Sequence, residues 1–191
     1  LTSVTTGTTV DYTLATKTVT GRIGDVFEGG VTTGGASINS YIVCLTSGGN
    51  IKNLASAAMT ATMKWADPSV KTGAVSMIDG IGNARINDAI SQATTTATGA
   101  CANLVTVPAY NWRLPAYEEL QCVRNNLAVI NSASPKIVDG TYWTSTESEG
   151  SSDDAYWFIL STATNSTGRQ SKTIPLGVLC VTDIADGYVA P

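Results

Sequence analysis

Val10, Tyr12 and Leu14 alternate with polar neighbours in a Thr-rich opening stretch. A two-residue period marks a strand with one buried face. β-branched Thr and Val favour extended backbone as well. Residues 1–22 therefore read as an extended β segment. It is either an ordinary first strand or an arm that adds a strand to a neighbour's sheet. Residues 24–35 are glycine-rich and predict turns. Residues 41–45 (YIVCL) form a short apolar run, expected as a buried strand. Residues 47–50 (SGGN) and the Asp67-Pro68 pair are turn signals. Between them, residues 51–65 are rich in Ala, Thr and Met and fit strand or irregular structure equally well.

Further on, Ile86, Ile90, Ala93, Ala97, Cys101 and Leu104 recur three or four residues apart. That spacing predicts one helix with Cys101 on its buried face and Asn83 as its N-cap. Thr94, Thr95 and Thr96 lower the helix propensity, so packing must hold this helix. In residues 111–127 (NWRLPAYEELQCVRNNL), Pro115 ends an extended entry just before a second helix. Glu118 and Glu119 fall in its first turn, where carboxylates complement the dipole. Leu120, Val123 and Leu127 form its apolar stripe. Three strand-like pieces follow at 142–145, 155–161 and 176–182. An acidic loop, residues 147–154 (ESEGSSDD), separates the first two, and a polar, turn-rich stretch, 162–173, separates the last two. No internal repeat and no clear linker interrupt the chain. The expected organisation is an N-terminal extended arm, 1–22, and one α+β domain, 23–191.

Composition narrows the setting. Of 191 residues, 43% are hydrophobic, which predicts a globular core. Only 14% are charged, below the usual value of about 25%. Solubility then falls to Thr, Ser, Asn and Gly, which suits an extracellular or assembled protein. The net charge of −4 leaves no excess of Lys and Arg for nucleic-acid phosphates. There is no histidine. Its absence excludes Ser-His-Asp and Cys-His catalysis, His-ligated zinc and imidazole pH switches. No apolar run reaches the roughly 20 residues of a membrane-spanning helix. The chain opens on Leu1 with neither a basic n-region nor an apolar h-region, and reads as a processed or trimmed chain. Cys44, Cys101, Cys122 and Cys180 show no CxxC spacing. An even count in such a chain favours two disulfides and an oxidising compartment, with all pairings open. The alternative is four buried thiols in a cytosolic protein.

Several residues are candidates for chemistry. Trp112 reads as core, and Arg113 as an ion-pair partner of Glu118, Glu119 or Glu147. Glu147, Glu149, Asp153 and Asp154 on the acidic loop could supply calcium ligands, against the plainer reading of a solvated polar loop. The EPN or QPD and WND motifs of calcium-dependent sugar binding are absent. Trp157, with Tyr142, Trp143 and Tyr156, offers aromatic surface beside that loop for a sugar platform. Alternation sends half of these rings to the core, Trp143 among them. Asn165-Ser166-Thr167 matches a glycosylation sequon of low specificity.

Trp112-Arg113-Leu114-Pro115 with Glu118-Glu119-Leu120 resembles the WRLP-x-x-x-EL signature of Lcl C-terminal and FISUMP-type domains. Residues 142–147 (YWTSTE) resemble that family's YWSSTE. Ala155-Tyr156-Trp157 is similar to its next strand, and Val178-Leu179-Cys180-Val181 to its closing VRCV. Gly24-Asp25 with Gly29-Gly30, and Cys101-Ala102-Asn103-Leu104, resemble its GD…GG opening and C-x-x-L helix end. The likeness spans residues 24–184. Ala116 replaces the usual Ser or Thr of the helix cap, and Leu179 the usual Arg.

The resemblance implies a C-type-lectin-like domain, related to the sulfatase-modifying-factor group, with two helices and a small mostly antiparallel sheet. It implies a Cys101–Cys180 disulfide, leaving Cys44 for Cys122. It also implies a bacterial secreted or cell-surface setting, often adhesive. The expected function is that of a non-enzymatic structural or adhesive subunit of a pilus- or fimbria-like filament. Self-assembly or other appendage subunits are its partners, and Val10, Tyr12 and Leu14 set the register of the joining strand. One alternative is a secreted carbohydrate-binding module with a glycan ligand. The other is a sulfatase-modifying-type redox enzyme. No catalytic residue, resident metal or cofactor is expected.

Overall fold

The structure, a computed structural model, describes residues 11–14, 17–20, 22–32, 37–45, 53–66, 71–90, 94–104, 106–107, 111–132 and 136–184. In chain order the elements are β1 (Asp11–Leu14), β2 (Lys17–Thr20), β3 (Val26–Thr32), β4 (Ser37–Cys44), β5 (Asn53–Met63), α1 (Gly80–Ile90), α2 (Ala97–Ala102), β6 (Thr106–Val107), α3 (Tyr117–Asn125), α4 (Leu127–Ile130), β7 (Gly140–Glu147), β8 (Asp154–Leu160), β9 (Thr167–Ser171) and β10 (Leu176–Ile184).

The stretch left open between strand and irregular structure becomes β5, an 11-residue strand inside the main sheet. It lies antiparallel between β4 and β10. β4 carries the expected buried run, with Ile42, Val43 and Cys44 at 1% exposure or less. The full order is β6-β3-β4-β5-β10-β7-β8-β9. Among the described residues every ladder of this sheet is antiparallel except that between β10 and β7. The α+β class and the mostly antiparallel sheet hold. The sheet is larger than expected because two turn-rich stretches contain strands. Residues 24–35 do turn at Gly24 (φ 91°), but β3 follows at once. Residues 162–173 contain β9, a polar edge strand paired only with β8 among the described residues.

Among the described residues four helices replace the expected two. The single helix predicted through Ile86 and Leu104 is instead two, α1 ending at Ile90 and α2 starting after Thr96. Thr96 is extended (φ −113°, ψ 155°), and its hydroxyl accepts the Gly99 N–H to start α2. Asn83 is not the cap of α1. Asp79 takes that role, accepting the Gly82 N–H at 2.8 Å. Asn83 lies one turn inside, 1% exposed, with Asn87 at 2% on the same face, while Ile86 is 38% exposed. α1 therefore turns an amide face inward. The Asn83 amide donates to the Ser76 carbonyl at 2.7 Å and accepts the Ser76 N–H at 3.1 Å. α3 matches expectation, with Leu120, Val123 and Leu127 buried. Ala116 offers no cap hydroxyl, but its N–H reaches the Glu119 carboxylate at 2.7 Å.

β10 is buried on both faces. Leu179 and Val181 enter a cluster with Leu54, Leu120, Phe158 and Leu160. Val178 and Cys180 enter a second cluster with Trp65, Trp112, Leu114 and Trp143. Period-two alternation thus feeds one strand into two cores. Each core holds one disulfide, Cys44–Cys122 and Cys101–Cys180, the pairing that the resemblance implied.

β1 and β2 form a two-stranded antiparallel sheet of their own, with Tyr12 opposite Val19 and Leu14 opposite Lys17. Within the expected extended segment, residues 11–14 and 17–20 thus pair with each other, while Val10 lies outside the described residues. Among the described residues no helix is long and apolar enough to cross a membrane.

Candidate functional site

Glu147, expected on the acidic loop, instead ends β7 with its side chain fully buried against Lys172. Its carboxylate also accepts the Thr72 N–H at 2.9 Å and the Gly73 N–H at 2.7 Å. Burial alone would push the Glu147 carboxyl up. The Lys172 hydrogen bond and these two N–H donors outweigh burial and hold it below the ordinary value. Lys172 donates further to the Ser152 carbonyl at 2.7 Å and stands 4.8 Å from the centre of the Trp65 ring. Glu147 therefore pins residues 72–73 and the turn after β9 to the sheet, which removes it from any exposed ligand set. Glu149 and Asp153 are exposed, and Asp154 is half-buried at the start of β8. Among the described residues no cluster of three acidic or thiol groups could hold a metal ion.

The aromatic candidates are mainly packing elements. Trp143 is fully buried, and its indole N–H donates to the Met63 carbonyl at 2.9 Å. Trp157 is half-buried, opposite Trp143 across the β7–β8 ladder. Gly168 on β9 leaves room for its ring, since a Cβ there would lie 2.9 Å from Cζ2 of Trp157. Tyr156 meets Tyr117 edge-on, and the Tyr142 hydroxyl donates to the Val138 carbonyl.

A different site is built around Arg113. Residues 112–116 are buried, and Arg113 bridges to β10 through both main-chain groups of Val181, at 2.9 and 2.8 Å. Its guanidinium takes the Glu119 carboxylate in a fork, at 2.7 and 2.9 Å, and reaches Asp183 at 2.5 Å. Of the three expected acidic partners, Glu119 is the one engaged. Burial opposes the Arg113 charge, but Glu119 and Asp183 more than offset it and keep the group protonated. Burial pushes the Glu119 carboxyl up, and Arg113 only partly pulls it back. A Cβ at Gly80 would run into Nη1 of Arg113 and Oε2 of Glu119, so any larger residue there must displace this buried pair.

Beside this pair opens a cleft of about 590 Å³ between α1, the end of α2 and the end of β10. Ile81, Arg85 and Asp88 line it from α1, Thr182 and Asp183 from β10, and Arg113 from below. Burial raises the Asp88 carboxyl. A water-sized recess of about 10 Å³ lies behind, walled by Asn87, Asp88, Thr98, Arg113 and Ser145. No family model, curated protein or solved structure matches the chain. The functional reading therefore rests on this geometry and on the sequence. Asp88 and Asp183 were not among the sequence candidates. Asp88 sits one turn after Arg85 in no recognisable motif, and Asp183 lies near the end of a strand, 70 residues from Arg113.

Proposed function

We propose that this chain is a non-enzymatic extracellular protein with a C-type-lectin-like fold, acting as a structural or adhesive subunit of a surface filament and joined through its N-terminal segment. The observation that carries this reading is the separate β1–β2 sheet. The eight-stranded order includes neither strand, so this segment has backbone edges that the main sheet does not use. Strand addition supplies affinity through main-chain hydrogen bonds. The fold assignment is supported by the disulfide from α2 to β10 and by the central place of that last strand. Two disulfides fit an oxidising, extracellular setting. Deletion of residues 1–22 should abolish filaments or oligomers in negative-stain electron microscopy and sedimentation, while the remaining domain melts cooperatively. Unchanged assembly after that deletion overturns the reading.

The carbohydrate-binding alternative rests on the exposed part of Trp157 and on the exposed carboxylates Glu149 and Asp153. It requires Trp157→Ala to weaken binding on a glycan panel without unfolding. The redox alternative needs a reactive thiol pair, whereas all four cysteines are joined as disulfides within the two cores.

A further inference from the structure

We propose that the cleft between α1 and the end of β10 binds a ligand bearing a primary ammonium or guanidinium group. The inference is independent of filament formation. The site offers hydrogen-bond acceptors in excess, and its buried donors are already committed. Arg113 directs its two terminal nitrogens to Glu119, Asp183 and the Leu114 carbonyl. Asp183 stays 28% exposed on the cleft side of that network. Among the described residues, no hydrogen bond or ion pair reaches the Asp88 carboxylate, although burial already disfavours its charge. In the recess, Asn87 is 2% exposed and its Oδ1 has no partner, while its amide nitrogen donates to the Ser145 carbonyl at 3.4 Å.

The charges agree with the acceptors. The cleft walls carry Asp88 and Asp183 against Arg85 and Arg113, with Arg85 exposed at the rim. The buried Glu119 behind Arg113 brings the local count to three carboxylates against two guanidiniums. A donor-rich cation between Asp88 and Asp183 would neutralise that excess and supply the missing donors. An isolated buried acceptor is costly, and a charge-assisted bond is stronger than a neutral one. A cleft of about 590 Å³ also has the size of a small-molecule or side-chain pocket. An anionic ligand would meet the unpartnered Asp88 carboxylate and the exposed side of Asp183, with only Arg85 not already engaged on the described walls.

The test is a ¹H–¹⁵N titration of the full chain with butylamine and with Nα-acetyl-lysine methylamide. Nε-acetylated lysine amide and methyl glucoside serve as neutral controls. Saturable shifts at the amides of Arg85, Asp88, Thr182 and Asp183 are expected with the amines and not with the controls. Asp88→Asn should weaken binding roughly tenfold or more. That position is a half-buried helix surface, so folding should persist, as the unperturbed remainder of the spectrum would show. Arg85→Ala should tighten binding by removing a like charge. Binding of both amines supports the proposal with a free amine as sufficient ligand. Binding of the lysine amide alone supports it with a basic peptide side chain as the source. Absence of saturable shifts with either amine overturns it. Equal binding of the neutral controls, or binding unaffected by Asp88→Asn, overturns it as well.

Discussion

Lys172 holds Glu147 in an ion pair that solvent does not reach on either side. The carboxylate ends one strand and the ammonium follows another, so the pair joins β7 to the turn after β9. Removing one partner leaves an uncompensated buried charge, which costs about 3–5 kcal/mol. Lys172→Met should therefore lower the denaturant midpoint strongly. Glu147→Gln combined with Lys172→Met should recover part of the loss. A single-variant loss under about 1 kcal/mol would show that water reaches the pair in solution.

The same carboxylate sets a pH dependence. Its folded-state pKa lies below the ordinary value of 4.5. Its contribution is therefore present above the unfolded pKa and is lost as pH falls through the folded one. Acid melting curves should show stability declining below about pH 5. Glu147→Gln should flatten that acid limb relative to the parent chain. An identical acid limb in both proteins would assign the dependence to other groups.

Gly177 stands opposite Tyr142 in the one parallel ladder. A Cβ there would lie 2.9 Å from the Tyr142 ring and 3.0 Å from the Thr141 carbonyl. The carbonyl is main chain and cannot step aside. Gly177→Ala should cost about 1–3 kcal/mol by overpacking, read by thermal or denaturant unfolding. A neutral result would mean that the β7–β10 contact is looser than the structure shows.

Replacing both Cys101 and Cys180 by Ala should cost about 2–5 kcal/mol, since that bond closes a 79-residue separation and sits in the second core. The readout is the denaturant midpoint under non-reducing conditions. The variant should keep the Cys44–Cys122 bond by mass mapping, and loss of both bonds would mean that the two cores form together.

Local patterns were legible where a single element determines the outcome. The Leu120, Val123 and Leu127 stripe and the run at 41–45 announce their own burial. α1 was misread because its inward face carries Asn83 and Asn87, while Ile86 points outward. Hydrophobic periodicity cannot see an amide face that is buried for its hydrogen bonds. β9 escaped for a related reason: Thr-Gly-Arg-Gln-Ser is a solvent-facing edge with no apolar alternation. Glu147 looked like loop chemistry because its partner lies 25 residues on, beyond any local pattern. The Asp88 and Asp183 cleft is harder still. Its two carboxylates come to line one cleft only after β10 has entered the sheet beside the Arg113 segment.

The two disulfides interleave: Cys101 lies inside the loop closed by Cys44–Cys122, and Cys180 lies outside it. Consider a pull applied upstream of Cys44 and downstream of Cys180. The taut covalent path crosses from Cys44 to Cys122, runs backward to Cys101, and crosses again to Cys180. Residues 45–100 and 123–179 are slack loops off that path, and they hold α1, β5, β7, β8 and β9. Tension can peel the elements that precede Cys44 and the end of β10 after Cys180, and can stretch the short 101–122 link. It cannot draw out the rest of the sheet while both bonds are intact. A link in a chain under shear would thus yield only a limited length before its covalent clasp bears the load.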